Sequence, residues 1–331
     1  MIHKFYTKIF FHRFFSSPLL AGYFCKIFLL LAIIVSIGSC TDFKDTDKSV
    51  DYLEGLSMKL ISLGRFNFSL PEEFDLLGRH QSIYHVEVVT IALQDKSPDD
   101  LWYKRLEKIK AKNVSSKMLW EREVHPGFPA VFYQVDPSVP SVTLEAQKTL
   151  EDHLLILKYE GKKGMEKDIL RLISITAGGY KKGIAKGFNI GAGSITSKPS
   201  LNEHAFIKFK NKALQTEVSI NTQTVGRVLN KHPLDDVSNE VKGLALEGIK
   251  LKVLKDKKRT VADFPGFEGR VILDSPDEEP IFRYTWFFQG ETGNSFKPEI
   301  LIKVIGPAKH IEEVNEIWEN LLKSLGLRSA N

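Results

Sequence analysis

Seven histidines follow residue 40: His80, His85, His125, His153, His204, His232 and His310. Only His80 and His85 are close in sequence. A spacing of five on a strand puts two side chains on opposite faces, so a shared metal is not expected. The chain has no HExxH pair, no P-loop and no GxSxG nucleophile elbow. Gly191-Ala192-Gly193-Ser194 begins like a nucleotide loop, but the third glycine is missing and β-type sequence follows. A turn or bulge after Phe188–Ile190 is the better reading. Asp274–Glu279 (DSPDEE) holds acids of the kind that hydrolysis uses in pairs, and a solvated turn between strands explains it more simply. Asp45, Asp47, Ser49 and Asp51 alternate like part of a calcium loop that lacks its glycine and its closing glutamate. No catalytic constellation, cofactor or metal is expected from these residues.

Two cysteines remain to be explained, Cys25 and Cys40. Ile27–Ile37 (IFLLLAIIVSI) is an apolar run of 11 residues, shorter than the roughly 20 that span a bilayer. It follows a basic, aromatic stretch, which is the layout of a secretory signal. Ile37-Gly38-Ser39-Cys40 resembles a bacterial lipobox, with an aliphatic residue, two small ones and a thiol soft enough to accept a diacylglyceryl group. Residues 1–39 are therefore expected to be removed and Cys40 to be lipidated, with palmitate among its acyl chains. The rival reading is an uncleaved anchor over Phe14–Ile37, which would place Lys26 near its centre. Thr41 after the cysteine favours the outer membrane by the enterobacterial pattern. The 292 residues from Cys40 onward then hold no free thiol and no disulfide.

The charge balance agrees with this division. The net charge is +5, but Lys4, Lys8, Arg13 and Lys26 lie in the first 39 residues, which contain no acid. Without them 42 basic residues face 41 acidic ones, so nucleic-acid binding has no electrostatic support. Residues 40–52 read as a polar tether.

The remaining sequence is dominated by strand-period stretches. They are RFNFSL at Arg65–Leu70, Ser82–Ala92, Val131–Val135, Leu154–Tyr159, Ala205–Phe209, Val218–Ile220, Ile249–Leu254, Arg270–Leu273, Ile281–Phe288 and Ile300–Ile305. Lys250–Arg259 is basic and reads as a strand with a polar outer face running into a hairpin. Trp286-Phe287-Phe288 cannot all face one core on a strand, so one side is either covered by another element or offered to a partner. Three helices are expected. One starts at Ser97-Pro98-Asp99-Asp100, with Leu101, Trp102, Leu106 and Ile109 on its apolar side. The second spans Met165–Ile175. The third spans Ile311–Leu325, with Glu312, Glu313, Glu316 and Glu319 toward water.

Three landmarks recur in the same order. Phe66-Asn67 matches Phe188-Asn189, Pro126-Gly127-Phe128 matches Pro265-Gly266-Phe267, and a strand, Gly161 and a helix match a strand, Gly306 and a helix. The offsets are 122, 139 and 145 residues. The expected fold is α+β: two tandem similar domains, 53–180 and 181–331, each an antiparallel β-sheet packed with helices and closed by a C-terminal helix. The Gly-rich, basic stretch Gly178–Lys186 reads as the linker. Two such lobes on a linker could clamp a large partner. An envelope structural or ligand-binding lipoprotein is the alternative to a protein inhibitor, and a hydrolase with a dispersed site is a third reading.

The second half resembles the immunity proteins cognate to type VI secretion phospholipase effectors of the fourth lipase class. The likeness is carried by GFNIGAGSI at Gly187–Ile195, NEHAFIKF at Asn202–Phe209, the strand TEVSINTQT, DFPGFEGRV at Asp263–Val271, YTWFFQGETGNSFKPEILIKV at Tyr284–Val304 and the closing IWENLLKSL. RFNFSLPEEF and the Trp102 helix look like that family's more divergent N-terminal domain. Val225–Glu247 departs from the longer basic pattern of the family, and partner specificity is expected to differ there. The resemblance implies a periplasmic, lipid-anchored protein of a Gram-negative bacterium that binds a lipase effector and blocks its catalytic pocket, with no chemistry and no small-molecule substrate of its own. It implies contacts from the Gly191–Pro199 loop (Gly191, Gly193, Ser194), the acidic turn (Asp277, Glu278, Glu279), the Gly290–Ser295 loop (Glu291, Asn294) and Trp286.

Overall fold

The computed structural model describes residues 56–93, 97–111, 117–134, 136, 138–183, 187–196, 202–226 and 249–327. Cys40, the leader before it, the tether, Ser197–Pro199 and 227–247 lie outside the described residues. The strands are β1 (Met58–Leu63), β2 (Phe66–Pro71), β3 (Phe74–Ile83), β4 (Val86–Ala92), β5 (Lys117–His125), β6 (Phe128–Gln134), β7 (Ser141–Thr149), β8 (His153–Lys162), β9 (Tyr180–Lys182), β10 (Phe188–Asn189), β11 (Gly193–Ile195), β12 (Glu203–Asn211), β13 (Thr216–Gln223), β14 (Lys250–Val261), β15 (Phe264–Asp274), β16 (Ile281–Phe288), β17 (Glu299–Pro307) and β18 (Gly326–Leu327). The helices are α1 (Pro98–Ala111), α2 (Glu166–Gly178) and α3 (Ile311–Ser324), the last entered through a 3₁₀ turn at Ala308–His310. The expected α+β class is what the structure has: among the described residues it is mostly antiparallel sheet with three helices.

Twelve strands form one antiparallel sheet in the order β14-β15-β16-β17-β13-β12-β3-β4-β8-β7-β6-β5. Alternation explains the central strands. In β12 every second residue from Glu203 to Asn211 is buried, and β13 and β17 follow the same period. Reading outward from the middle, β3-β4-β8-β7-β6-β5 and β12-β13-β17-β16-β15-β14 are the same order of first, second, sixth, fifth, fourth and third strand. The expected boundary at 180/181 falls on β9, which pairs with β11. The sheet continues across it, because β3 and β12 pair from Phe74↔Asn211 to Ile83↔Glu203.

The chain ends tie the halves further. Two small sheets, β1-β2-β18 and β10-β11-β9, lie beside the large one. In each, a hairpin preceding one six-strand run is completed by a strand that follows the other run's helix. One hydrophobic cluster includes Phe66 and Phe68 of β2, Leu144 and Leu157 of the first run, Tyr284 and Trp286 of the second, and Trp318 of α3. The halves are thus not lobes swinging on a linker, as the clamp reading required. α1 forms a separate small cluster in which Trp102, Leu106 and Ile109 cover Val131 and Tyr133.

Several local expectations change. Ser82–Ala92 is not one strand but the end of β3, a turn at Tyr84-His85 with φ of 55° and 66°, and β4. β14 runs straight through Lys257–Arg259, and its hairpin turn is Ala262-Asp263. The two Pro-Gly-Phe landmarks are therefore out of structural step. Pro126-Gly127 makes the turn before Phe128, whereas Pro265-Gly266 lies inside β15 after its turn. Gly161 and Gly306 do correspond, each one residue from the end of its strand.

Candidate interaction surface

The residues expected to contact a partner divide by what holds them. The first group lies on the β10–β11 hairpin. Gly191 has φ of +87°, and a Cβ there would come within 2.2 Å of the Arg79 guanidinium. Gly193 has φ of +159° and lies against the Lys181 carbonyl and the Tyr180 ring. The two glycines let this backbone pack on its neighbours, which is the turn role expected from the sequence. Gly191 is exposed, but Gly193 and Ser194 are buried. Among the residues expected to make contact here, Gly191 at the tip is the one open to a partner in this conformation. It borders an open cleft of about 470 Å³ lined by Glu151, Asp152, His153, Lys182 and Asn189.

The second group is the loop after β16. Glu291 and Asn294 close it on itself. Lys297 donates to the Glu291 carboxylate at 2.6 Å, the Asn294 amide donates to it at 3.0 Å, and Gly293 N–H donates to Val225 O at 2.9 Å. The Lys297 and Asn294 hydrogen bonds hold the Glu291 carboxyl below the usual carboxylate range. Phe296, half exposed, lies over the Arg65 guanidinium at 4.8 Å. Arg65 in turn makes a bidentate pair with the buried Glu203 at 2.6 and 2.7 Å. Gly64, next to Arg65, pairs through its backbone with Asn189. The β1–β2 turn thus stands between the first two loops and binds each.

The acidic turn is elsewhere. Asp277, Glu278 and Glu279 are exposed between β15 and β16, and Glu279 pairs with Lys309 at 3.1 Å. This turn lies at the Ile281 end of β16 and the Glu291 loop at the Phe288 end. Eight strand residues separate them, about 24 Å at the usual rise. The structure therefore gathers two of the three expected loops and leaves the third at the far edge.

Trp286 corrects the sequence expectation outright. It is fully buried, and its indole N–H donates to Arg259 O at 3.0 Å. Phe287 and Phe288 are buried as well, so both faces of β16 are covered and the aromatic run is not offered to a partner.

Sequence reasoning also missed an ionic cluster beneath α3. Glu268 on β15 is fully buried. It accepts from Arg270 at 2.6 Å, Trp318 Nε1 at 2.9 Å and Arg259 at 3.2 Å, and Lys255 lies 3.4 Å away. Glu319, expected to face water, turns inward to Arg259 at 2.7 Å and Arg270 at 2.5 Å. Burial alone would raise both carboxyl pKa values, but the Trp318 hydrogen bond and then the Arg270 and Arg259 charges outweigh it at Glu268, which is lowered, and the Arg259 and Arg270 hydrogen bonds and charges outweigh it at Glu319, which falls to about 2. Tyr284, which donates to Asn315 at 2.8 Å, is pushed up to about 12 by burial. The signal was present as Glu-x-Arg on a strand, a buried-charge pattern that reads like ordinary surface alternation.

His80 and His204 also meet, which no spacing argument anticipated. They lie on adjacent strands with ring centroids 5.4 Å apart, while His85 sits in the β3–β4 turn. Burial lowers the His204 pKa against the opposing hydrogen bond with Asn221 at 2.7 Å. Among the described residues no group of three or more His, Cys, Asp or Glu is placed to hold a metal ion. Among them, too, no helix is long and apolar enough to cross a membrane.

No family model matches the chain, and no curated protein sequence does. Solved structures match it over most of its length. The apo structure of TplEi, an immunity protein of the type VI secretion system of Pseudomonas aeruginosa, has 16% identity and a TM-score of 0.68, covering 83% of this chain and 98% of that one. A chain of the Tle4–Tli4 complex has 14% identity and a TM-score of 0.69, again covering 83% and 98%. TplEi in complex with an "L" peptide has 16% identity and a TM-score of 0.65, covering 82% and 98%. The chain therefore shares its overall fold with the immunity protein TplEi and with the matching chain in the Tle4–Tli4 complex.

Proposed function

We propose that this chain is an immunity protein that binds and inhibits a cognate lipase effector of a type VI secretion system by blocking its active site, and that it performs no catalysis itself. The observation that carries this reading is the fold likeness over 98% of the TplEi chain. The ordered motifs from Gly187 to Leu325 agree with it independently of the coordinates. That one neighbour was solved with a peptide and another within a complex supports a protein partner. The two six-strand runs are read as tandem copies of one α+β unit, each closed by its helix. The Gly191 tip and the Glu291 loop are the surfaces proposed to meet the effector, because the β1–β2 turn fixes both.

The chain is further proposed to be exported and lipidated at Cys40, with the outer membrane as its site. An effector that attacks lipid works at the membrane, so a tethered inhibitor is concentrated where damage occurs. Near-neutral charge after residue 39 makes long-range steering weak, and tight binding is expected to come from slow release. The test is co-purification of the full chain with the product of the adjacent lipase gene, followed by phospholipid hydrolysis. A stable complex with suppressed hydrolysis is the expected result. Undiminished hydrolysis at excess of this chain overturns the reading. Metabolic labelling with radioactive palmitate, lost in Cys40→Ser, tests the anchor separately.

A further inference from the structure

The two runs of the sheet differ in how far their first two strands pair. β12 and β13 are paired over eight residues, His204–Asn211 with Thr216–Gln223. The equivalent strands β3 and β4 are paired over three, Gln81↔Val88, Ser82↔Glu87 and Ile83↔Val86. Beyond Gln81 they part. β3 keeps β12 on one side, and β4 keeps β8 through Ala92. Among the described residues, no strand pairs with the facing edges Phe74–His80 and Val89–Ala92. Leu76, Leu77 and Ile91 are exposed beside the gap. An open edge of this kind is a template for an added strand unless something blunts it. The bulge at Leu76-Leu77 bends the far end, but Gly78, Arg79 and His80 keep regular pairing with β12.

The tip of the β10–β11 hairpin lies against one face of this gap, where Gln81 Nε2 donates to Asn189 O and Thr90 Oγ1 donates to Ile190 O at 3.4 Å, and Arg79 stands beside it. One guanidinium nitrogen donates to Ser62 O at 3.1 Å, Nε is buried without a partner, and the group lies against the Gly191 backbone. Its surroundings are unlike those of Arg65, Arg105, Arg259 and Arg270, each of which meets a carboxylate at 2.7 Å or less. No carboxylate among the described residues is within ion-pair distance of Arg79. Burial lowers its pKa with nothing to oppose it. A desolvated cation is costly unless paired, so the site is complementary to an incoming acid.

Resting on the protein-partner reading above, we propose that the gap between β3 and β4 is a docking slot for an extended segment of the partner, which adds to the open edge of β3 and places an Asp or Glu carboxylate on Arg79. Backbone pairing would supply register, Leu77 and Ile91 apolar contact, and Arg79 selection for an acid.

The test has two arms. In the first, the full chain is titrated with the adjacent lipase. Arg79→Met should weaken binding by about 30-fold or more, in line with losing a charge-assisted contact, while the exposed control Lys257→Met stays within about twofold. Those amides of Gly78–His80 that point away from β12 should gain protection from hydrogen exchange in the complex. Unchanged affinity of Arg79→Met with no added protection of these amides overturns the slot. The second arm needs no lipase. Terminally blocked octapeptides of alternating Val and Thr with a central Asp are compared with the same peptides carrying Asn, by fluorescence anisotropy. The Asp peptide should bind at least about tenfold better, and Arg79→Met should erase the difference. Equal binding of Asp and Asn peptides overturns the proposal. Absence of any lipase complex with the wild-type chain, beside Asp-selective peptide binding, would instead count against the immunity reading alone.

Discussion

The two six-strand runs have one topology and two ways of managing buried charge. In the second run, Glu268 and Glu319 share Arg259 and Arg270 beneath α3, Lys255 and Trp318 also meet Glu268, and Asn315 accepts from Arg270 and Tyr284. In the first, among the described residues, one buried carboxylate, Glu145 on β7, takes a bidentate pair from Arg105 of α1 at 2.6 and 2.8 Å and a hydrogen bond from Tyr133 at 2.6 Å. Burial raises the Tyr133 pKa strongly. The comparison teaches that strand order does not decide where a half is rigid. The second run is fastened by a multi-centre network under its helix. The first has one clasp and an incomplete seam between β3 and β4.

Removing the shared carboxylate should separate the two halves most clearly. Glu268→Gln leaves cations buried without a counter-charge and should cost about 3–5 kcal/mol, read from urea unfolding. Glu145→Gln leaves one guanidinium whose side chain is 39% exposed and can hydrate, so it should cost about 1–3 kcal/mol. Equal losses would mean that the number of cations held is not what distinguishes the runs.

Acid should pick out the same half. The Glu319 pKa falls from 4.5 to about 2 on folding. A depressed carboxyl contributes stability that is fully present above pH 4.5 and is lost as pH falls toward 2. Side-chain exposure of 34% means solvent screens part of this gain. Trp318 donates to Glu268 in the same cluster, so its fluorescence reports the change. Glu319→Gln should flatten the acid limb of the stability curve between pH 4.5 and 2. An unchanged limb would place the acid-sensitive step outside this cluster.

A smaller effect concerns the hairpins. The β3–β4 turn at Tyr84-His85 and the β14–β15 turn at Ala262-Asp263 both carry positive φ at two consecutive non-glycine residues. Asn-Gly suits such turns better than either pair. His85→Gly and Asp263→Gly should each stabilise the protein by about 0.5–1 kcal/mol in thermal unfolding. A gain at Asp263 alone would show that the incomplete seam already relieves strain at His85.

Much of the architecture was legible because it is local. Periodicity located β12, β13, β16 and β17 and the three helices of the described residues, and Ser97-Pro98 marked the start of α1 within a residue. What escaped is non-local. β7 carries Glu145 on a face that looks solvent-exposed, and α1 brings Arg105 to it there. Ser82–Ala92 reads as one strand because the β-branched run hides a turn with no Gly or Pro. The three-residue aromatic run in β16 looked like a binding surface because burial on both faces of a strand cannot be inferred from that strand alone. The joining of β2 to β18 and of β9 to β11 links segments far apart in the chain, and no residue pattern announces it. The Gly191 loop was legible as a tight turn, but its contact with Arg79 was not.

Arg79 and Arg65 give the finest test, because both lie beside the β1–β2 turn and only one has a carboxylate. Arg65→Met removes the bidentate partner of Glu203, whose side chain is 6% exposed, and should destabilise the free protein by about 2–4 kcal/mol. Arg79→Met removes a desolvated charge that has no counter-ion and leaves Ser62 O to be satisfied by water. Relief of desolvation and loss of one hydrogen bond oppose each other, so the net should fall within about 1 kcal/mol of zero. The methionine retains the apolar volume of the stem, which keeps packing against Gly191 out of the comparison. Thermal unfolding of the free chain reads both variants directly. A loss for Arg79→Met as large as that for Arg65→Met would mean the guanidinium is already neutralised within the folded protein. A near-zero change would leave Arg79 as a charge held in the seam without a structural task of its own.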